Sequence, residues 1–262
     1  MSYITSISNF FYIIIIGLGL AIGSFLNAWV WRTRENFSII SGRSMCLHCR
    51  RQLLWYENIP VLSFLVLQGH CRTCNNPIPT HYLLVEISTA LIFLLVAWDY
   101  VHASPSSYLY LLRNLLFAVL LIIVFIYDFL YQEILSDIVW FGSIIGLCFN
   151  IYLDYSLTAM VVGALVASGF FGLQFIVSKG RWIGGGDVRL GVMMGLWLGW
   201  PTVLVALVIA YVIGAFISVI LLILKKKTMQ SATPFGTYLA LGTLAALLWG
   251  NQIVGWYMTF LQ

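Results

Sequence analysis

The run Leu115-Leu116-Phe117-Ala118-Val119-Leu120-Leu121-Ile122-Ile123-Val124-Phe125-Ile126-Tyr127 is apolar throughout and closes on Asp128. Further along, Gly184-Gly185-Gly186-Asp187 sets a second carboxylate just before 190–224, a stretch of 35 residues without a charge. A lone carboxylate at a bilayer edge is costly, so two of them need a reason. The reading that accounts for both is joint action, as a pair of acids sharing one proton inside a membrane protein.

Composition supports the membrane. The chain has 262 residues, of which 61% are hydrophobic and 8% charged. These proportions belong to a polytopic membrane protein and exclude an ordinary soluble domain. The net charge of +4 reports topology before it reports any polyanion, so no nucleic-acid partner is expected and the lipid bilayer is the first partner. Residues 1–31 carry no charged side chain. A secretory signal peptide needs a basic start, so the first segment is expected to be a retained transmembrane helix with its N-terminus outside; cleavage is the alternative.

Charge-poor runs fall at 10–31, 82–98, 108–127, 138–153, 157–178, 190–224 and 235–260. A helical span takes about 20 residues. The Gly199-Trp200-Pro201 break divides the longest run into two, which makes eight spans. With the N-terminus outside, the inward segments 32–81, 128–137, 179–189 and 225–234 hold twelve of the 13 Lys and Arg residues. Only Arg113 falls toward the outer side, as the positive-inside rule asks of this topology. Asp128, Asp137 and Asp187 then face the cytoplasm. The expected architecture is all-α and polytopic, with about eight transmembrane helices. A first transmembrane helix occupies 1–31, a small cytoplasmic insertion 32–81, and a seven-helix membrane domain 82–262.

The insertion of about fifty residues is too small to bury a good core unaided. Cys46-Leu47-His48-Cys49 and Cys71-Arg72-Thr73-Cys74 supply a staple: two Cys-x-x-Cys knuckles separated by 21 residues. Four thiolates so arranged can surround a tetrahedral zinc ion. A pair of disulfides is the alternative, disfavoured in a reducing cytosol. The neighbouring Arg43, Arg50, Arg51 and Arg72 are expected to lower the thiol pKa values. His48 and His70 are expected to be solvated or to stand behind a shell already complete with Cys46, Cys49, Cys71 and Cys74. Cys148 lies within a span and reads as a small buried apolar residue.

Each aspartate has a plainer reading. Asp128 could be a solvated interfacial acid. Asp137 follows Ser136 and reads as the N-cap of the next helix, with Glu133 exposed on the same short loop. Asp187 begins a helix and could cap it, but three glycines are an entropically costly route to an ordinary cap. They let backbone approach a ligand closely. A phosphate cradle is excluded, since no Gly-Lys-Ser/Thr follows and a carboxylate repels phosphate. Brought together, Asp128 and Asp187 could not both ionise comfortably. One would take a proton from water while the other donates to a scissile carbonyl, and the pair would titrate as a unit.

At this point the residues resemble a known family. Gly23-Ser24-Phe25-Leu26-Asn27 with Arg32 resembles the N-terminal signature of bacterial type IV prepilin peptidases. Trp55-Tyr56-Glu57-Asn58-Ile59-Pro60, Gly69-His70-Cys71-Arg72 and Pro77-Ile78 are similar to its zinc-binding region. Tyr127-Asp128 through Asp137, Gly184 to Val188 and Pro234-Phe235-Gly236 continue the match. The resemblance implies an integral aspartyl protease of the Gly-x-Gly-Asp type in the bacterial cytoplasmic (inner) membrane, with its active site facing the cytoplasm. It implies cleavage of the basic leader from type IV prepilins or pseudopilins after a glycine. It further implies methylation of the new N-terminal amine, often a phenylalanine, with S-adenosylmethionine as donor. Matched residue by residue, the catalytic pair falls on Asp128 and Asp187, and the metal ligands on Cys46, Cys49, Cys71 and Cys74. No glycine loop for the methyl donor stands out.

The chain departs from the resembled pattern twice. Ser136 stands where proline is usual, and Arg189 where lysine is common; altered loop rigidity is expected, not lost chemistry. Leader recognition by Glu35, Glu57 or Glu133 is a further expectation. Three rival readings remain: a protease without methylation, an ion- or proton-coupled transporter, and a zinc-docked assembly factor. A proton relay would place its acids near mid-membrane, whereas both aspartates fall at span ends.

Overall fold

Backbone amides in a bilayer have only one another as partners, so the apolar runs become helices. The computed structural model describes residues 2–39, 41–100, 107–226 and 233–260, and the described residues are all-helical apart from two isolated β-bridges in the cysteine segment. Lys227, counted above on the inner side, lies outside them. The helices are α1 (Ser2–Arg34), the short α2 (Leu62–Val66), α3 (Thr80–Ala97), α4 (Ser107–Tyr131), α5 (Ser136–Tyr152), α6 (Leu157–Ser178), α7 (Gly185–Leu198), α8 (Thr202–Ile223) and α9 (Phe235–Phe260). Apart from α2, each falls on an expected run. The break in the longest run lies where it was expected: Gly199 takes φ 72, and the Trp200 N–H donates to Ala159 O at 2.9 Å.

Six of these helices, α1, α3, α4, α6, α8 and α9, are long and apolar enough to cross a membrane. The chain is a multi-pass membrane protein. The other two are shorter than eight equal spans would require: α5 has 17 residues and α7 has 14. At 1.5 Å per residue α7 is about 21 Å long, against a hydrocarbon thickness of about 30 Å.

The helices group into two compact units, Met1–Leu111 and Leu112–Gln262. In the first, α1 packs along α3 through Gly19 and Gly23. A Cβ on Gly19 would stand 2.6 Å from Ala90 Cα, and one on Gly23 2.8 Å from Glu86 Cα. Small residues four apart let helix backbones touch where lipid supplies no hydrophobic drive.

In the second unit α7 is the buried helix. Leu190, Met193, Met194 and Trp197 have no exposed surface, and Trp197 stacks on Phe117 with ring centroids 4.4 Å apart. Arg113 is correspondingly not an outer-surface charge. It is buried on α4; its Nε donates to Asn150 Oδ1 at 2.6 Å and its Nη2 to the carbonyl of Trp197. Asn150 Nδ2 donates to Leu196 O at 2.7 Å. These donors satisfy carbonyls at the C-terminal end of α7, which no further helical turn can reach.

Cys148 departs from expectation. It is exposed, on the same face of α5 as Phe141, Ile144 and Ile151. An apolar residue in a membrane protein has no need of the interior, because lipid is as apolar as the core.

Close contact between α6 and α7 runs through Gly195, where a Cβ would stand 2.2 Å from Ala164 N and 2.3 Å from Gly163 C. Gly195→Ala should therefore destabilise the fold by about 1–3 kcal/mol through overpacking. Gly169→Ala, at a helical glycine with no neighbour within 4 Å, should not. Thermal unfolding of both variants in detergent checks this.

Candidate functional site

Two groups of chemistry-bearing side chains assemble, one in each unit. In the first unit Cys46 and Cys49 lie on one turn and Cys71 and Cys74 on another, and the turns repeat the same hydrogen bonds. Cys46 N–H donates to Arg51 O at 2.9 Å and Arg50 N–H to Cys46 O at 3.0 Å. Cys71 N–H donates to Asn76 O and Asn75 N–H to Cys71 O, both at 2.9 Å. Arg50 and Asn75 both take a φ of 54 to close the turns.

The four sulfurs lie within 4.8 Å of one another, and Cys46 Sγ stands 3.8 Å from Cys74 Sγ. A zinc tetrahedron with bonds of about 2.3 Å has edges of about 3.8 Å, so the cluster fits that ion. All five cysteines are free. Both histidines beside the knuckles, His48 and His70, are exposed and outside the cluster.

The expectation that arginines lower the thiol pKa values is met in part, by Arg51 at Cys71, and backbone amides do more. The Cys71 thiol is pulled down to about 6, chiefly by the backbone amides of Cys74 and Thr73, which point at its sulfur. Burial pushes Cys46 up to about 11. Arg51 hydrogen-bonds to Cys71, and it also pairs with the Glu57 carboxylate at 2.8 Å. That bond holds the Glu57 carboxyl below its ordinary value. Glu57 is buried, and its second oxygen accepts from Leu54 N–H at 2.8 Å. It is thus engaged in holding the segment and does not present an open acidic surface to a leader. Glu35 and Glu133 are exposed.

In the second unit α4 delivers Asp128 near its C-terminal end, and α7 delivers Asp187 in its first turn. Both are buried, 4% and 6% exposed, so neither is a solvated interfacial acid. They lie within electrostatic reach of each other. Asp128 Oδ2 accepts from the backbone N–H of Thr237 at 2.6 Å and from the Thr237 hydroxyl at 3.0 Å. Thr237 is in the first turn of α9, so this carboxylate meets the amide end of another helix. Asp187 Oδ2 accepts from Gly184 N–H at 3.0 Å and so caps its own helix, while Oδ1 is buried with no hydrogen-bond partner among the described residues. The cap reading and the paired-acid reading of Asp187 are therefore compatible, one oxygen for each.

Glycines make this approach possible. A Cβ on Gly236 would stand 3.1 Å from Asp128 Cγ and 2.9 Å from Ile134 Cδ1; one on Gly186 would stand 2.9 Å from Ile134 Cβ. Ile134 thus packs against the starts of both α7 and α9. Tyr211 lies within electrostatic reach of Asp187, and Tyr238 of Asp128.

Asp137 does not cap α5. The cap position is Leu135, and Asp137 is exposed within the first turn, where its charge complements the helix dipole. The neighbouring Ser136 hydroxyl accepts from Arg189 Nη1. The two departures from the resembled pattern thus contact each other and tie the start of α5 to the start of α7. Sequence reasoning missed this pair, and it missed Thr237, whose only signal is a hydroxyl in the first turn after Pro234.

The bacterial peptidase A24 N-terminal domain matches residues 17–100, and the type IV leader peptidase family matches residues 115–219. A prepilin leader peptidase/N-methyltransferase of Stutzerimonas stutzeri is 32% identical over 268 residues, which cover 93% of this chain and 92% of that protein. The chain belongs to the type IV leader peptidase family. Proteins of the same name from Pseudomonas putida and Pseudomonas aeruginosa are 32% and 31% identical, over 90% and 99% of this chain and 90% and 98% of their own. No solved structure matches the chain. The N-terminal match contains all four clustered cysteines, and the family match contains both aspartates.

If the cluster holds zinc, purified protein should carry one zinc per chain by elemental analysis. Cys71→Ser should lose it, and chelation should render 32–81 sensitive to protease, because a segment this small has no sufficient core of its own.

Proposed function

We propose that this chain cleaves the basic leader from type IV prepilins or pseudopilins, after a glycine at the cytoplasmic face of the membrane, and then methylates the exposed N-terminal amine. The observation that carries the proteolytic half is the pair Asp128 and Asp187: two buried carboxylates, drawn from different helices, each anchored through one oxygen to a helix N-terminus. Asp187 Oδ1, buried and without a hydrogen-bond partner among the described residues, is a site for a proton or for water.

The reaction follows from the pairing. Two carboxyls in one site share a proton. The ionised member takes a proton from water, and the water oxygen adds to the glycine carbonyl carbon while the protonated member donates to the carbonyl oxygen. Collapse breaks the C–N bond, the amine leaves with a proton, and the leader keeps a new carboxylate. No covalent enzyme intermediate is needed. Because both groups are held from helix ends, they are fixed before substrate arrives, which is where most of the advantage of such a site lies.

A prepilin suits this site. Its apolar helix can lie among the spans while its basic leader stays in the cytosol. The working division is a first transmembrane helix over 1–31, a cytoplasmic zinc-binding segment over 32–81 held by Cys46, Cys49, Cys71 and Cys74, and a seven-helix protease domain over 82–262. Zinc there would fix the two knuckles against each other. The methyl donor, S-adenosylmethionine, supplies an electrophilic methyl group on sulfur.

Purified enzyme incubated with a prepilin, with and without S-adenosylmethionine, and weighed by mass spectrometry tests both activities. Wild type should remove the leader and add methyl mass only with the donor. Asp128→Asn and Asp187→Asn should each lower cleavage by about 10³-fold or more, since each removes half of an acid–base pair. Cleavage that survives both substitutions defeats the mechanism. Gly236→Ala should lower cleavage by about 10²-fold by displacing Asp128, with the fold retained.

A further inference from the structure

The cysteine segment is rich in arginine at its knuckles, yet it carries no Asp, Glu, Lys or Arg from Asn58 to Cys71. The short helix α2 lies within that stretch, and its two faces differ. Ser63, Phe64 and Leu67 turn inward and line a cavity together with Tyr82 and Glu86 of α3. Leu62, Leu65 and Val66 stand three and four residues apart on the other face and are 59%, 61% and 80% exposed. Apolar side chains exposed singly need no explanation, but a contiguous face of them marks a surface that something apolar covers.

The depth of α2 decides what that is. The N–H of Val61, the residue just before α2, donates to Glu86 Oε2 at 2.7 Å. Glu86 stands six residues after Thr80, so its Cα lies about 9 Å along α3 from the start of that helix. The whole of α3, with 18 residues, is about 27 Å long, less than a hydrocarbon core of about 30 Å. A side chain leaning toward the helix N-terminus recovers only part of that depth. The Ser24 hydroxyl of α1 donates to the same carboxyl, which holds it between the two spans. The partner of Glu86 therefore sits below the start of a span, and α2 follows it directly in the chain.

The backbone around α2 meets the condition that lipid sets. The Ser63 and Leu65 N–H groups donate to Ile59 O and Val61 O, both at 3.0 Å, and Leu67 N–H donates to Ser63 O at 2.9 Å. Gln68 N–H donates to Leu65 O at 3.1 Å and Gly69 N–H to Phe64 O at 2.9 Å. With Val61 N–H on Glu86, these donors are satisfied without water, as backbone at membrane depth must be. Lipid is the one apolar occupant that this depth supplies without a further molecule.

We propose that α2 lies in the membrane leaflet in which α3 begins, with Leu62, Leu65 and Val66 among lipid acyl chains. The insertion over 32–81 is then not wholly an aqueous segment, because the bilayer holds it between its two ends as well as at them. The inference is independent of the cleavage and methylation proposed above.

Labelling from the lipid tests it. Full-length protein is reconstituted into vesicles of phosphatidylethanolamine and phosphatidylglycerol that contain a lipid with a photoactivatable diazirine in its acyl chain. After illumination and digestion, the peptide containing 62–66 should carry lipid mass, as should the α3 peptide with the exposed Leu84 and Leu91. With Leu65→Asp and Val66→Asp together, labelling of 62–66 should fall by about tenfold, since carboxylates are disfavoured among acyl chains. Labelling of α3 equal to wild type reports that the spans of this variant remain folded. A readout that keeps α2 uncharged comes from p-benzoylphenylalanine incorporated at position 66 and illuminated in native membranes, where it should crosslink to lipid. Lipid on the α3 peptide with none on 62–66 of the wild type overturns the proposal. So does labelling of 62–66 that the two aspartates leave undiminished. Crosslinking from position 66 to protein, whether to residues 112–262, a second copy or another chain, gives the face to that partner and overturns the proposal likewise.

Discussion

A helix of 14 residues buried in a membrane protein cannot leave its ends to water. About 21 Å of α7 is surrounded by other helices, and each end exposes four backbone groups that no turn of its own can satisfy. The second unit is organised around that demand. At the C-terminal end, Arg113 and Asn150 reach in from α4 and α5 to the carbonyls of Trp197 and Leu196. At the N-terminal end, the Gly184 N–H is taken by the Asp187 carboxylate. The same carboxylate is a candidate catalytic group. Backbone chemistry and reaction chemistry therefore meet in one side chain. A carboxylate with one oxygen bound to the backbone has a fixed plane, so its other oxygen has a fixed direction.

Asp128 repeats the arrangement across a helix boundary. It belongs to α4 but is held by the first turn of α9. Neither aspartate could reach such a position beside bulky neighbours. Gly186 and Gly236 both pack on Ile134, so one side chain bears on the starts of α7 and α9 together. A methyl group added at either glycine would press on the same residue. The glycines here serve close approach; neither Gly186 nor Gly236 has the positive φ that only glycine tolerates well. The Arg189 to Ser136 hydrogen bond adds a tie between α7 and α5 near the same place.

Charge-poor apolar runs were sufficient to find every long helix, because in lipid the backbone has no alternative to hydrogen-bonding itself. It was insufficient to separate a span from an interior helix. Leu190–Leu198 is apolar whether it faces lipid or protein, and only its neighbours reveal that α7 is enclosed. Cys148 failed for the converse reason, since an apolar face that would be buried in water is free to face outward here. The cysteine cluster was legible because ligand spacing is a local property of the chain. The aspartate pair was legible as two misplaced charges, but its anchors were not. Thr237 stands 109 residues from Asp128, and a single hydroxyl in an apolar run carries no sign of such a partner. Glu57 was misjudged because burial and an arginine partner cannot be read from an acidic letter in a polar segment.

Buried polar atoms without partners are informative because folding disfavours them so strongly. An unpaired buried donor or acceptor costs about 1–3 kcal/mol, comparable to the effect of a damaging mutation. A chain keeps such an atom when something other than folding needs it. In the second unit the orphan is an oxygen of Asp187, in a place where hydrolysis requires a proton or a water.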